Sequence, residues 1–281
     1  MHSFCCQAIY STFLSWTINI PIGFNYDLYV PQNLTGRGVE KLLVNNFHAI
    51  SSYLEQYSGV KITEQDFSRT FSIYDENHSL LRQLYEYRKR GVGCLSGAEA
   101  LIAVLSSVLM DKAEHNALLK EALADVDQRT DSPAGARLMM VSSEFHDVEL
   151  VKFIESLGST IVIEDNCMAS PLWAKIDSER DPMIALVRRL TSRPPCAVKD
   201  LGEMRKRQTH IIDLFREYRA QGILSVLQHY CEPYNFDTPF LKKLCDENSI
   251  PFYQIEVDQG LALGPLRTRI EAFIEGISLS V

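Results

Sequence analysis

Four short clusters hold the residue types that do chemistry. Ser142-Ser143-Glu144-Phe145-His146-Asp147, Glu164-Asp165-Asn166-Cys167, His229-Tyr230-Cys231-Glu232-Pro233 and Asp258-Gln259-Gly260 each follow a run rich in aliphatic residues. Thiols in such a set can ligate a soft metal, and histidines can join them as ligands. Each residue also has a plainer role. Cys167 and Cys231 read first as small buried hydrophobes, although Cys231 stands between Tyr230 and Glu232 rather than among aliphatic neighbours. His146 with Asp147, and His229, read as hydrogen-bonding residues, while Glu144 and Asp165 read as caps of the elements that follow. Cys94, Cys196 and Cys245 read as structural or incidental, Cys245 because it follows Leu241 and Leu244 on the apolar side of a helix.

Other motifs carry less. Gly91-Val92-Gly93-Cys94-Leu95-Ser96-Gly97 has the glycines of a dinucleotide loop but follows a helical pattern, whereas that loop needs a strand before it. There is no P-loop, no HExxH and no C-x-x-C pair. The basic runs Arg188-Arg189, Arg205-Lys206-Arg207 and Arg267-x-Arg269 read as solvated helix faces. One of them placed along a sheet edge would instead hold phosphates.

The elements that position the four clusters follow from periodicity. Residues 137–142, 160–163, 222–228 and 252–257 are predicted strands, and residues 148–157, 204–219, 238–247 and 267–276 are predicted helices. Continuous apolar strands alternating with amphipathic helices require a parallel sheet covered on both faces. The predicted fold is therefore α/β: a C-terminal, parallel, four-stranded Rossmann-like sheet flanked by helices and preceded by a helical section. In such sheets ligands bind beyond the carboxyl ends of the strands, where all four clusters fall.

Upstream, residues 35–126 change to a helical period. Val39, Leu42, Leu43, Phe47, Ile50 and Leu54 form one stripe, with Gly59 just past its end. Thr63 is placed to cap a second helix, Ser96 a third, and Leu118 to Leu123 mark a fourth. No chemistry is visible in this helical layer. Residues 18–22 and 26–30 read as extended pieces, and residues 127–136 as a linker. The resulting division is 1–34 as the remnant of an N-terminal lobe, 35–130 as the helical section, and 131–281 as the α/β domain.

Composition narrows the class. The 281 residues are 46% hydrophobic and 23% charged, as in ordinary globular proteins, and the formal charge of −8 argues against a sequence-blind nucleic-acid binder. Seven irregularly spaced cysteines in a chain of this length point to a reducing, cytoplasmic setting rather than a disulfide scaffold. The first 26 residues lack Asp, Glu, Lys and Arg, but polar residues interrupt every apolar run and no basic segment leads it, so no signal peptide is expected. No stretch approaches the ~18 apolar residues of a membrane span.

The stretches 137–167 (RLMMVSSEFHDVELVKFIESLGSTIVIEDNC), 222–244 (GILSVLQHYCEPYNFDTPFLKKL) and 250–275 (IPFYQIEVDQGLALGPLRTRIEAFIE) resemble the 2-hydroxyacyl-CoA dehydratase and benzoyl-CoA reductase family, of the 2-hydroxyglutaryl-CoA dehydratase D-component kind. Gly59-Val60-Lys61-Ile62-Thr63 and Leu95-Ser96-Gly97-Ala98-Glu99 are similar to it as well. The resemblance implies iron–sulfur chemistry on an acyl-CoA thioester. An ATP-hydrolysing activator protein drives a low-potential electron into a [4Fe-4S] cluster, which passes it to the thioester carbonyl, and the resulting ketyl radical expels the hydroxyl group. Three cysteines hold each cluster and leave one iron open. By resemblance Cys231 matches the third of these ligands, and Cys6, or its neighbour Cys5, the second; Gln7 stands where the family usually has Asp. The first cysteine and the lobe that carries it have no counterpart in this sequence. Two expectations follow: a shortened catalytic subunit paired with a homologous second subunit in a homo- or heterodimer, or a non-catalytic scaffold beside an intact partner. A related small-molecule reductase with the same electron supply is a further alternative.

Overall fold

The computed structural model describes residues 7–90, 95–130, 135–169, 181–198, 204–258 and 263–279. The chain divides into two compact units, one of residues 1–72 with 174–204, the other of residues 73–173 with 205–281.

The first unit holds α1 (Gln7–Asn19), α2 (Val39–Ser58), the start of α3 (Glu64–Arg88) and α7 (Pro182–Thr191). The predicted caps are present: Gly59 ends α2 at φ 72°, and the Thr63 hydroxyl accepts from the Asp66 amide at 3.2 Å. The core is Leu28, Val30, Leu34, Leu43, Ile50 and Val187. Two local expectations fail. Ile18 lies in α1 rather than in an extended piece; the polar side chains of Thr12, Thr17 and Asn19 are satisfied within that helix by the carbonyls of Ala8, Leu14 and Ser15. Helix α7 has no counterpart among the predicted elements, although Asp181 caps it and Pro182 opens it, an ordinary helix start.

The second unit contains the rest of α3, α4 (Gly97–Leu109), α5 (Lys112–Val126), β1 (Ala136–Ser142), α6 (Val148–Ser156), β2 (Ser159–Asp165), α8 (Met204–Glu217), β3 (Gly222–Gln228), α9 (Glu232–Glu247), β4 (Phe252–Val257) and α10 (Gly264–Leu279). The four strands form one sheet, all parallel, in the order β2-β1-β3-β4. This is the α/β architecture expected from the sequence. Right-handed crossovers to opposite sides of β1 place α6 on one face, and α8 and α9 on the other. The connection reverses direction between β1 and β3, which makes their carboxyl ends the switch point of the sheet.

One face is filled by Leu138, Met140, Ile161, Leu224, Val226 and Ile255 packed against α4, α6 and α10. The outer edge of β2 is closed by side chains: the Ile161 amide donates to Glu155 (3.1 Å) and its carbonyl accepts from Arg88 (2.7 Å). Glu155 also accepts from the Gly97 amide at the start of α4 (2.7 Å). One side chain thus covers part of a strand edge and neutralises a helix end.

Candidate functional site

Cys231 stands at the seam between β3 and α9. It is the residue before the helix, half-buried and in no disulfide, and its thiol makes no capping bond. Its amide donates to the Gln228 carbonyl at 3.0 Å, and the preceding Tyr230 has φ 64°. A left-handed tyrosine costs backbone energy and persists only where the surroundings demand a sharp turn. That turn brings Cys231 to the positive end of α9, where the helix dipole favours negative charge. Helix α9 begins six residues earlier than expected, so Cys231 is a helix cap rather than a mid-loop residue.

Beside it a cleft of about 520 Å³ opens at the carboxyl ends of β3 and β4, lined by Leu227, Gln228, His229, Tyr230, Glu232, Asn235, Phe236 and Glu256. The His229 ring stands edge-on to Tyr230 with centroids 4.6 Å apart, and its Nδ1 lies 3.7 Å from Glu256. Ser143, after β1, donates to the Gln228 side chain at 3.2 Å across the switch point. Cys167, after β2, donates its amide to the Ser143 carbonyl and brings its sulfur to 3.8 Å from the Tyr234 hydroxyl. Three of the four clusters are therefore linked around one edge. In the fourth, Asp258 is exposed, and Gln259-Gly260 lie outside the described residues. His146 and Glu144 point to solvent, and Asp147, rather than Glu144, caps α6. Cys245 is fully buried as expected, its thiol pushed up to about 12 by burial and by Asp246. Cys5, Cys6 and Cys94 lie outside the described residues.

The largest correction concerns charge. The sequence reading puts Arg207 on a solvated face and makes Asp165 a cap, yet both are buried and paired at 2.8 Å. Arg207 also reaches Asp237 on α9 at 2.8–2.9 Å and lies 5.7 Å from the Tyr234 ring centroid. Burial pushes the Asp165 carboxyl up, but Arg207 and His210 outweigh it and hold it below the ordinary carboxylate range. On the neighbouring residue, Glu164 accepts from buried Arg88 at 2.5 Å and from the Tyr85 hydroxyl. Successive strand residues face opposite sides, so the tip of β2 sends one carboxylate into each face. A sequence signal for both arginines existed. Arg207 falls in the stripe Arg207, Ile211, Leu214, Tyr218, and Arg88 in Leu81, Leu84, Arg88, at the three- and four-residue spacing of a buried helix face.

The helical layer also hides a polar network. Buried Asn77 donates to His115 Nδ1 (2.8 Å) and to Asn116 (2.7 Å) and accepts from Ser107 (2.8 Å). His115 Nε2 then donates to Ser106 at 3.0 Å.

A [4Fe-4S] cluster is held by several thiolates. Cys231 suits one such position by chemistry, exposure and the helix end behind it. Among the described residues no three His, Cys, Asp or Glu side chains are grouped to hold a metal, so they do not compose a full ligand set. Among them, too, no helix is long and apolar enough to cross a membrane.

Comparison with known proteins agrees with the family expected from the motifs. The chain is 26% identical over 249 residues to the (R)-phenyllactyl-CoA dehydratase beta subunit of Clostridium sporogenes, covering 88% of this chain and 66% of that protein. It is 24% identical over 280 residues to a benzoyl-CoA reductase subunit of Thauera aromatica, covering 98% and 72%. It is 20% identical over 264 residues to the (R)-2-hydroxyglutaryl-CoA dehydratase beta subunit of Acidaminococcus fermentans, covering 92% and 69%. The chain thus spans about two thirds of the length of these curated relatives. The profile of the 2-hydroxyglutaryl-CoA dehydratase D-component matches residues 3–277, nearly the whole sequence, and the chain belongs to that family.

Proposed function

We propose that this chain is a subunit of a dehydratase or reductase acting on an acyl-CoA thioester, and that Cys231 is one thiolate ligand of its [4Fe-4S] cluster. Cys6, or Cys5, is proposed as a second ligand. A homologous partner subunit and an ATP-hydrolysing activator complete the system. When bound, the cluster supplies a low-potential electron to the thioester. This chain's residues hold one corner of it: Cys231 ligates, and the start of α9 stabilises the negative charge.

The observation that carries this reading is the uncommitted, half-buried thiol of Cys231 at the tip of β3, beside a cleft at the carboxyl edge of a parallel sheet. The named enzymes among its relatives act on phenyllactyl-, benzoyl- and 2-hydroxyglutaryl-CoA, which supports a CoA thioester as substrate. The test is anaerobic expression with a homologous second subunit, followed by iron and sulfide analysis. Cys231→Ser is expected to lose iron while Cys245→Ser keeps it. A protein without iron, alone and with the partner, overturns the reading. Full activity of the complex with Cys231→Ser overturns it too, in favour of the scaffold role.

A further inference from the structure

We infer that Arg207 is a positioning residue for Cys231, acting through the first two turns of α9. The inference uses the reading of Cys231 as a ligand to say what is positioned; the mechanical claim stands on the iron-free chain.

Pro239 lies inside α9. It has no amide hydrogen to give to the carbonyl of Asn235, so the helical ladder is interrupted between the turns that follow Cys231 and the body of the helix. The body is anchored independently, by buried Leu241, Leu244 and Cys245. The segment before the proline buries only Tyr234 and Asp237. Arg207 engages both: its Nε donates to Asp237 Oδ2 at 2.9 Å, its Nη2 lies 2.8 Å from the same oxygen as an ion pair, and its guanidinium carbon lies 5.7 Å from the Tyr234 ring centroid. Its Nη1 meets Asp165 at the tip of β2 at 2.8 Å. One rigid, planar cation thus ties the Cys231-bearing turns to the end of β2, two strands away in the sheet order. A lysine in its place could meet one carboxylate but would not reproduce the fork.

Asp237→Asn is the cleanest perturbation, because Arg207 and Asp165 remain a neutral pair and the shape is kept. Arg207→Met/Asp165→Asn/Asp237→Asn removes the charges of Arg207 and its two carboxylate partners together, so neither carboxylate is left facing an absent guanidinium. In the iron-free chain, amide hydrogen exchange at residues 234–238 and alkylation of Cys231 by iodoacetamide are each expected to rise about tenfold or more in both variants, the weight of a charged hydrogen bond. Exchange in β1 and β3 should match wild type. Leu244→Ala serves as the control that loosens α9 without touching the clasp. In the reconstituted complex, Asp237→Asn should still bind iron but give a shifted paramagnetic resonance spectrum. Wild-type exchange and alkylation in folded Asp237→Asn and in the triple variant would overturn the positioning role. Retention of iron by Cys231→Ser would instead overturn the ligand reading while leaving the mechanical result intact.

Discussion

Replacing Arg88 by Met should be among the most damaging single substitutions in the second unit. Arg88 has no exposed surface and spends its guanidinium on the Glu164 carboxylate at 2.5 Å and the Ile161 carbonyl at 2.7 Å. Methionine fills much of the volume but leaves Glu164 with only the Tyr85 hydroxyl. Removing one partner of a buried ion pair costs about 3–5 kcal/mol. The orphaned Ile161 carbonyl at the edge of β2 adds to this by about 1–3 kcal/mol, partly offset when Glu164 takes up a proton. A net loss of about 4 kcal/mol is a large share of the ~5–15 kcal/mol that holds a domain together. With a urea dependence of about 2 kcal/mol per molar, the midpoint should fall by about 2 M. Urea titration followed by hydrogen exchange of β1 reports this unit separately from the other. Arg88→Met/Glu164→Gln removes the stranded charge and should recover more than half of the loss. A cost below about 1 kcal/mol, or a double variant as unstable as the single one, would refute the assignment of Glu164 and Arg88 as a buried charged pair.

Burial and Lys112 hold His115 below its ordinary range, and its Nδ1 must accept from Asn77. Since the unfolded chain takes the proton more readily, stability should decline as pH falls below about 6.5 and level off once the lowered folded value is passed; His115→Asn should flatten that dependence relative to wild type in denaturation midpoints at about pH 7.5 and 5.5. Asp165 is held below the carboxylate range, so its contribution should persist above about pH 4 and vanish on acidification through its folded value, a limb that Asp165→Asn removes from an acid titration followed by circular dichroism. Alkylation at about pH 8 should label Cys231 in the native chain and spare Cys245 until urea is added, because the Cys245 thiol is buried and shifted to about 12. Gly135→Ala should destabilise by several kcal/mol in thermal melts, because Gly135 has φ 75° and a methyl group there would lie 1.7 Å from the Gly158 carbonyl.

Strands β3 and β4 were legible to the residue, because short runs such as Ile223-Leu224-Ser225-Val226-Leu227, rich in aliphatic and β-branched residues and bounded by turns, have strand length, and β3 is buried along nearly all of it. The helix starts at Thr63 and Ser96 were legible because hydroxyl caps act locally; Ser96 and Glu99 form a full capping box. Strand order was not, because it depends on long-range pairing that no local pattern records. Arg207 and Arg88 show a different failure. A basic run suggests a surface on composition, while the spacing of the same residues with Ile211 and Leu214, or with Leu81 and Leu84, marks the buried side. Cys231 was legible as a suspect from its polar neighbours. Its place as the cap of α9 was not, because Pro233 at the second helical position reads equally as a turn or a helix start.

The central claim is that Cys231 bonds to iron. Crystals of the chain with its homologous partner, grown without oxygen and measured across the iron absorption edge, test it in one map. The account predicts an anomalous iron peak bonded to the Cys231 sulfur at the mouth of the β3–β4 cleft. An iron peak whose sulfur ligands exclude Cys231, or a loaded and active complex with no iron at that sulfur, would contradict it.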